Sequence, residues 1–401
     1  MTQSRRERRL REAAEQARLA ATASSQPDSA AEDPGFSWAD RPAGVRSPSA
    51  GPGPRRRGEE SDRGRGAGRR ISESSELHGA RRAAHLLTLP ALGTLLLAWA
   101  LTTIVGDVPW GPFGVLPVAF ACLSPIIIVP AVPVALVAIQ RRRWATLVLP
   151  VGATALPWAF VIGYALPAQP PAGPTVPLRA MIVTAHDGRA SARDIVDAVR
   201  SQRTDVLVVT ELSAALAHDL TVAGLPLTLP VRYATVPDPN ASPATGIGIF
   251  SRFDVGPVTP VRGTHWPAVT ARVIVGRSAV TLVAGHVVPP STWHLDRWRR
   301  DIATFGTAER VRGPVLVLVN LNATPWNPQF RWIVSGRLHD AADVLGRGLR
   351  PTWPTWTPVP LLPTDHALVA SLGVTEQVAL PIGGSDHRAL SVGLAVPSTA
   401  S

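Results

Sequence analysis

Three long apolar runs dominate the hydrophobic pattern of the first half of the chain. They cover residues 83–106, 115–139 and 144–166, and none contains a charged side chain. A helix of about 20 apolar residues is long enough to cross roughly 30 Å of hydrocarbon. Buried helices of a globular protein are the alternative, but three successive uncharged runs with tryptophans in or near them argue against it. The pattern therefore predicts three transmembrane helices, in which prolines are tolerated.

The orientation of these helices follows from the arginines around them. Arg81 and Arg82 precede the first run, and residues 140–143 (QRRR) separate the second from the third, whereas residues 106–114 contain no arginine. Basic residues next to membrane helices favour the cytoplasmic side. The sequence thus predicts a cell-membrane protein with a cytoplasmic N-terminus and an extracytoplasmic C-terminal domain.

From residue 178 onward, the pattern becomes that of an α/β domain. Continuous apolar stretches such as DVLVVTEL and PVLVLVNLN are typical of buried strands. Further strands are predicted at LRAMIVTA, TGIGIFSR, VTARVIV, AVTLVAGHV, HALVASLG and ALSVGLAV, and helices at ARDIVDAVRSQ, STWHLDRWRRDIATF and NPQFRWIV. Because helices separate only some of these strands and short turns separate the others, the sheet is expected to be mixed.

Composition divides the chain into four parts. Residues 1–82 are rich in Pro, Gly, Ser and charge, with 17 Arg against 12 acids, which predicts a disordered Arg-rich cytoplasmic tail. The three predicted transmembrane helices occupy residues 83–166, a Pro-rich linker residues 167–177, and the α/β domain residues 178–396. The net charge is +11, and the only cysteine, Cys122, rules out a disulfide framework and a thiolate zinc site.

Polar residues of types suited to catalysis or metal binding stand at the ends of several predicted strands. They are Glu211 in DVLVVTEL, His286 in AGHVVPP, Asn322 in VNLNATPWNPQFRWIV, Asp365 in LLPTDHALVA, and Asp386 with His387 in GGSDHRALSV. In this order the motifs resemble those of the endonuclease/exonuclease/phosphatase family over residues 178–396. The resemblance implies a four-layered α/β sandwich, two mixed β-sheets flanked by helices, preceded here by the three transmembrane helices.

The resemblance also implies a role for each residue. Glu211 and Asp386 would be ligands of Mg²⁺, or of Mn²⁺ in its place, since hard oxygen ligands suit such ions. His387 would bind the phosphate or move a proton, and Asp365 would fix its tautomer. His286 would donate to a phosphate oxygen, and Asn322 stands at the position of the family's asparagine.

Two positions depart from the family pattern. The family's Gly-Asp-Phe-Asn reads Val319-Asn320-Leu321-Asn322, so Asn320 replaces a catalytic Asp. An amide cannot take a proton from water, and loss of a general base typically costs about 10²- to 10⁴-fold in rate. Thr184 replaces the family's asparagine at the end of the first strand, where it would donate a hydrogen bond from a shorter side chain. Hydrogen bonding from an asparagine at that strand end is expected to help to hold Glu211.

The function expected from this resemblance is Mg²⁺-dependent hydrolysis of a phosphodiester or phosphomonoester at a membrane. Nucleic acid, a lipid headgroup and a sugar phosphate all remain open as substrates. Membrane lipid is the other expected partner, and no particular protein partner is predicted. One alternative is a non-catalytic descendant that binds a phosphorylated ligand or a protein. Another is a structural membrane protein whose working part is the tail.

Overall fold

Two six-stranded mixed sheets make up the C-terminal half of the chain in a computed structural model, which describes residues 87–105, 113–168, 173–236 and 245–398. The predicted tail, residues 1–82, lies outside the described residues. Below, "helical segment" denotes residues 87–168 and "C-terminal domain" denotes residues 173–398.

The elements of the C-terminal domain alternate irregularly between strands and helices. The strands are β1 Thr175–Thr184, β2 Val206–Leu212, β3 Val231–Thr235, β4 Gly246–Ser251, β5 Thr259–Pro260, β6 Ala268–Val275, β7 Ser278–His286, β8 Val315–Asn320, β9 His339–Asp340, β10 Asp365–Ala370, β11 Gly373–Leu380 and β12 Ala389–Pro397. The helices of the helical segment are α1 Leu87–Val105, α2 Val115–Cys122, α3 Ile128–Gln140 and α4 Val148–Ala159. Those of the C-terminal domain are α5 Ala192–Ser201, α6 Ala214–Val222, α7 Leu295–Gly306, α8 Pro328–Ile333 and α9 Ala341–Leu345.

Each sheet contains one parallel pair of strands. The first sheet has the order β11-β12-β1-β2-β4-β3, and the second has the order β5-β6-β7-β8-β10-β9. β1 runs parallel to β2, and β7 runs parallel to β8, whereas the other pairs are antiparallel. A parallel pair needs a crossover connection, and helices α5 and α7 supply it in the two sheets. The expected mixed sheets are therefore confirmed.

Side chains alternate between the two faces of each strand, and this alternation builds four layers. Ala180 and Ile182 of β1 point into a core shared with Leu282 of β7 in the other sheet. The residues between them, such as Met181, pack under α5 and α6. On the outer face of the second sheet, Trp298 and other residues of α7 and α8 form a further core. The two sheets thus face each other and carry helices on their outer faces, as predicted.

Several element boundaries differ from those expected from the sequence. β1 begins at Thr175, inside the predicted linker, because residues 175–177 pair with the end of β12. Pro177 is tolerated there since β2 pairs with β1 only from Ala180 onward, so no partner on that side needs its missing N–H. Strands β3 and β11 and helix α6 were not predicted.

The described residues of the three predicted transmembrane runs are mostly helical, but the helices are less regular than expected. Helix α1 has 19 residues, and among the described residues it is the only single helix long and apolar enough to cross a membrane. The second run is bent by 68° between Cys122 and Ser124, and the third is a shorter helix, Trp144–Ala159. Pro125 follows the bend directly, and its ring and missing N–H favour a kink at this point, although Pro133 and Pro157 are accommodated inside helices of the same segment.

The helical segment packs against the C-terminal domain next to the end of β8. Three side chains there each donate to a backbone carbonyl of a different apolar run: Trp326 Nε1 to Pro157 (3.0 Å), Asn327 Nδ2 to Val118 (3.1 Å) and an Arg331 guanidinium nitrogen to Thr103. The Arg331 guanidinium also lies 4.0 Å from the centre of the Phe160 ring. Residues 326–331 therefore form the docking segment for all three runs.

The Asn327→Ala substitution tests this docking. The fully buried Asn327 side chain also accepts from the backbone N and hydroxyl of Thr324 (2.8 and 2.9 Å). An orphaned buried polar group costs about 1–3 kcal/mol, so residues 321–331 should open locally and exchange their amide hydrogens faster. Hydrogen exchange of the detergent-solubilised protein measures this effect. Ser335→Ala, at an exposed hydroxyl, is the control, and equal exchange in the two variants would contradict the docking role.

Candidate active site

The candidate site lies where six strands meet at one edge of the two sheets. In the second sheet, Asn320 at the end of β8 pairs with His286 on one side and with Asp365 on the other. In the first sheet, Thr184 at the end of β1 pairs with Thr210, the residue before Glu211. Strand register alone therefore brings most of the predicted site residues to this edge.

Asp365 is the most highly connected of these residues. Its Oδ1 accepts a hydrogen bond from Thr184 Oγ1 (2.7 Å), and its Oδ2 accepts from Thr352 Oγ1 (2.6 Å) and faces His387 Nδ1 at 2.6 Å. Burial alone would raise the pKa of this carboxyl, but His387 and the two hydroxyls lower it to about 2. Asp365 is therefore ionised and fixed.

His387 is the partner that this carboxylate orients. Burial opposes its protonation, but Asp365, Asp386 and Glu211 raise its pKa above the ordinary value. Its backbone N donates to Ser385 Oγ (3.0 Å), which in turn donates to the backbone carbonyl of Thr184 (2.7 Å). With Nδ1 bound to Asp365, Nε2 is the nitrogen left for a substrate. The imidazole is thus held as a proton donor.

Glu211 sits on a β-bulge that breaks the pairing of β2 with β4. Its φ of 56° lies in the left-handed region, and Asp187, whose backbone N donates to Glu211 Oε2 (2.8 Å), has a φ of 54°. Such backbone strain in non-glycine residues is concentrated at functional sites. Burial raises the pKa of Glu211 to about 7, and the carboxylates of Asp187 and Asp386 add to this increase. Glu211 is therefore a carboxylate without sufficient positive charge around it.

His286 is buried beside Glu211 and is held by Asn322. Asn322 Nδ2 donates to the backbone carbonyl of Val287 (2.8 Å) and lies 3.2 Å from His286 Nε2, which therefore acts as an acceptor. The ring proton is then on Nδ1, which lies 3.2 Å from Glu211 Oε1 without the geometry of a hydrogen bond. Burial and His387 lower the pKa of His286 to about 3. His286 is a neutral donor whose Nδ1–H is unpaired.

Asn320 and Thr184, the two departures from the family pattern, are in contact. Asn320 Oδ1 accepts from the backbone N of Asn322 (2.9 Å), and Asn320 Nδ2 lies 3.5 Å from Thr184 Oγ1. Thr184 donates to Asp365 rather than to Glu211. The short Thr184 hydroxyl is committed to Asp365, so it supplies no hydrogen bond to Glu211.

The acidic residues define what kind of cation could bind. Asp386 is partly exposed, and its Oδ1 lies 4.0 Å from His186 Nδ1. Within the described ranges, no three His, Cys, Asp or Glu side chains converge as a metal cage. Mg²⁺ commonly binds through one or two carboxylates and keeps several waters. The largely buried, electrostatically uncompensated Glu211, with Asp386 near it, fits that mode and does not fit a cage of protein ligands.

Two residues of this site were not selected from the sequence as functional. Thr352 lies in a loop of Pro, Thr and Trp with no strand pattern, so nothing in the sequence marks it as a hydrogen-bond donor to Asp365. Ser385 was recognised only as part of the Ser-Asp-His motif, although its hydroxyl links His387 to β1. Both act through hydrogen bonds across distant parts of the chain, which periodicity cannot reveal.

Comparisons with known proteins found one matching family model and several similar solved structures. Residues 182–387, a little over half of the 401 residues, match the model of the Endonuclease/Exonuclease/phosphatase family. No curated protein matches the chain significantly. Similar solved structures include humanized D. rerio TDP2 with 14 mutations (14% identity, 54% of this chain and 98% of that one, TM-score 0.45). Others are an endonuclease/exonuclease/phosphatase from Beutenbergia cavernae DSM 12333 (19%, 56% and 72%, 0.44) and the human Nocturnin catalytic domain (18%, 54% and 94%, 0.43).

The raised pKa of Glu211 predicts a pH-dependent stability in the metal-free protein. The folded chain holds a proton up to about pH 7 that the unfolded chain releases near pH 4.5, so stability should fall as pH rises between these values. Glu211→Gln, which is neutral at every pH, should remove this loss. The free energy of unfolding of Glu211→Gln should exceed that of the wild type by on the order of 3 kcal/mol above pH 7, and this difference should vanish below pH 4.5.

Urea unfolding in detergent with EDTA measures this difference. Glu376→Gln, at a half-exposed carboxylate, is the matched control and should show no such trend. If the difference in free energy of unfolding between Glu211→Gln and the wild type is the same at pH 4 and pH 8, the interpretation of Glu211 as a buried, uncompensated charge is contradicted.

Proposed function

The chain belongs to the Endonuclease/Exonuclease/phosphatase family, whose members hydrolyse phosphoester bonds, and from this premise we propose that it is a membrane-anchored, Mg²⁺-dependent phosphoester hydrolase. The observation that carries the proposal is the Asp365–His387 pair at the same sheet edge as Glu211 and His286. These residues are far apart in the sequence, and they provide a fixed proton donor, a neutral donor and an uncompensated carboxylate around one point.

In this proposal, the residues divide the work of hydrolysis. Glu211 and Asp386 would hold Mg²⁺, or Mn²⁺, which supplies positive charge to the transferring phosphoryl group. His387, oriented by Asp365, binds a phosphate oxygen or donates a proton to the leaving oxygen. His286 presents Nδ1–H to a second phosphate oxygen. Asn322 orients His286 through its amide, and so it acts through that residue rather than on the substrate.

The step without an evident residue is the removal of a proton from the attacking water. Asn320 stands where the family has an Asp, and an amide has no basic site for this task. His387 is less suited to this task, because Asp365 holds its Nδ1 and raises the pKa of the imidazole, which favours proton donation over proton acceptance. We therefore propose a weakened enzyme. A non-catalytic descendant that binds a phosphorylated ligand is the second candidate, because the Asn320 amide is already used in contacts with Asn322 and Thr184.

The docking contacts support the membrane part of the proposal. The carbonyls that the docking segment binds lie near the end of the first run, the start of the second and the end of the third: Thr103, Val118 and Pro157. Alternating crossings would bring these three ends to one side of a membrane and residues 141–143, all arginine, to the other. The C-terminal domain would then be extracytoplasmic, with the N-terminus in the cytoplasm.

Asn320→Asp tests the catalytic proposal. The substitution returns a proton acceptor to the position where the family has one, so hydrolysis of phosphoesters by the full-length protein should increase by about 10²- to 10⁴-fold. The gain should require Mg²⁺ and disappear in the double variants with Glu211→Ala or His387→Ala. Turnover of a panel of phosphodiesters and phosphomonoesters at varied Mg²⁺ gives the measurement.

Asn320→Ala is the control, because it disturbs the same contacts without supplying an acceptor. Thr184→Asn is added in the Asn320→Asp background to restore the second departure. A folded double variant that hydrolyses no ester would favour the non-catalytic candidate instead.

Reporter fusions test the topology. An alkaline phosphatase fused after residue 401 should be active, because it folds only outside the cytoplasm, while the same reporter fused at residue 1 should be inactive. A cytoplasmic reporter such as green fluorescent protein should give the opposite pattern. Fluorescence of green fluorescent protein fused after residue 401 would place the C-terminus in the cytoplasm. That result would mean that the second or third run does not cross the membrane.

A further inference from the structure

An apolar cavity of about 760 Å³ lies between the helical segment and the C-terminal domain. Its walls come from both parts: Pro125, Ala155, Trp158, Ala159, Val161, Ile162, Tyr164 and Ala165 on one side, and Trp326, Gly348, Leu349, Pro351 and Leu361 on the other. Tyr164 carries the only side-chain polar group of this lining apart from the indole nitrogens, and its hydroxyl donates to Asp340 (3.2 Å). The volume is that of a typical ligand pocket.

The cavity and the candidate active site share a loop. Residues 348–361, the rim loop, are tied to the helical segment where the backbone N of Gly348 donates to the carbonyl of Tyr164 (2.7 Å). Pro351 and Leu361 line the cavity, whereas Thr352, between them, donates to Asp365. Thr355 reaches the same edge, because its backbone N donates to the carbonyl of Asp386 (3.0 Å). The rim loop therefore separates the two sites by one layer of residues.

The rim loop exposes apolar side chains that a water-soluble substrate would not need. Trp356 and Val359 are each 67% exposed, and Leu361 is 46% exposed. Across the cavity, Trp158 and Ile162 of the third apolar run are also exposed. Contiguous exposed apolar surface marks an interaction site, and tryptophan is enriched where protein meets the membrane surface. Leu361, Trp158 and Ile162 line the same cavity, so apolar surface of the rim loop and of the helical segment meets there.

The apolar lining of the cavity favours a hydrocarbon chain over a polar ligand. A sugar, nucleotide or peptide placed in this cavity would lose hydrogen bonds to water without finding partners, which is unfavourable for each polar group. A hydrocarbon chain loses none, and each buried methylene strengthens binding about fourfold. The source of such a chain next to a wall built from a predicted transmembrane run is the bilayer.

We propose that the cavity binds the hydrocarbon chain of a membrane lipid whose phosphoester lies at Glu211 and His387, so that the substrate is a phospholipid. This inference rests on the proposed function for its chemical step. In that step the hydroxyl of water joins phosphorus, a P–O ester bond breaks, and the remaining proton joins the departing oxygen. The rim loop would bridge the two ends of the lipid.

The test compares two forms of each lipid with the full-length protein in detergent micelles. Phosphatidylglycerol, phosphatidylethanolamine, phosphatidylinositol and phosphatidic acid are supplied with dioleoyl chains or as water-soluble dihexanoyl analogues, in the Asn320→Asp background if the wild type is too slow. For the accepted headgroup, kcat/KM should be at least about tenfold higher for the long-chain form, because its chain fills the cavity.

Ala159→Trp fills the cavity and should lower kcat/KM at least about tenfold for the long-chain lipid while changing the dihexanoyl analogue less than about twofold. Ala98→Trp is the matched control, since Ala98 lines a different apolar cavity of about 490 Å³ formed by the helical segment alone. Equal effects of Ala159→Trp on both substrates, or faster hydrolysis of an oligonucleotide than of any lipid, would overturn the inference.

A binding measurement separates this inference from the proposed function. A phosphatidylglycerol with a diazirine at the chain end should label peptides covering residues 155–165 and 348–361, and Ala159→Trp should abolish that labelling while Ala98→Trp should not. Labelling without turnover of any ester would support the chain site and reject the proposed hydrolase. Turnover with no labelling of these peptides would reject the chain site and leave the hydrolase standing.

Discussion

Asp365 holds a carboxylate in an almost fully buried position, where Thr184, Thr352 and His387 surround it within 2.7 Å. A buried charge is costly unless it is fully paired. Thr184 belongs to the first sheet, His387 lies two residues before its strand β12, and Asp365 belongs to the second sheet. The pairing that satisfies this charge therefore also fixes the two sheets against each other at one edge. Displacing either sheet there would leave the carboxylate unpaired, and for this reason the geometry of the site follows from the stability of the fold.

The segment after β8 extends this dependence to the helical segment. Asn322 holds His286 on the active-site side, and four residues later Trp326 begins the contacts with the apolar runs. Because Asn327 is tied at the same time to Val118 and to Thr324, the turn between these residues has little freedom. The helical segment therefore helps to position the site residues and is more than a passive anchor.

The sequence predicted the parts of this structure that local pattern determines. The strands of consecutive apolar residues, such as β8, are identifiable because both of their faces are buried. β11 was missed because Thr375 and Glu376 interrupt its pattern at a sheet edge, and the bend after Cys122 was missed because composition alone does not show where a proline-rich run breaks. Thr352 could not be found, since its role comes from a loop that folds back over Asp365.

The same electrostatics explain how the site remains folded with an amide at position 320. Asn320 pairs with Asp365 in the sheet, so a second carboxylate there would face an ionised one, and like charges at close range are unfavourable without a cation between them. The amide removes that repulsion and satisfies the backbone N of Asn322. Glu211 is then the carboxylate whose pKa is raised by burial and whose charge is not compensated by positive groups around it. A cation held as proposed above would therefore act mainly on this one side chain, and its binding there would stabilise the fold.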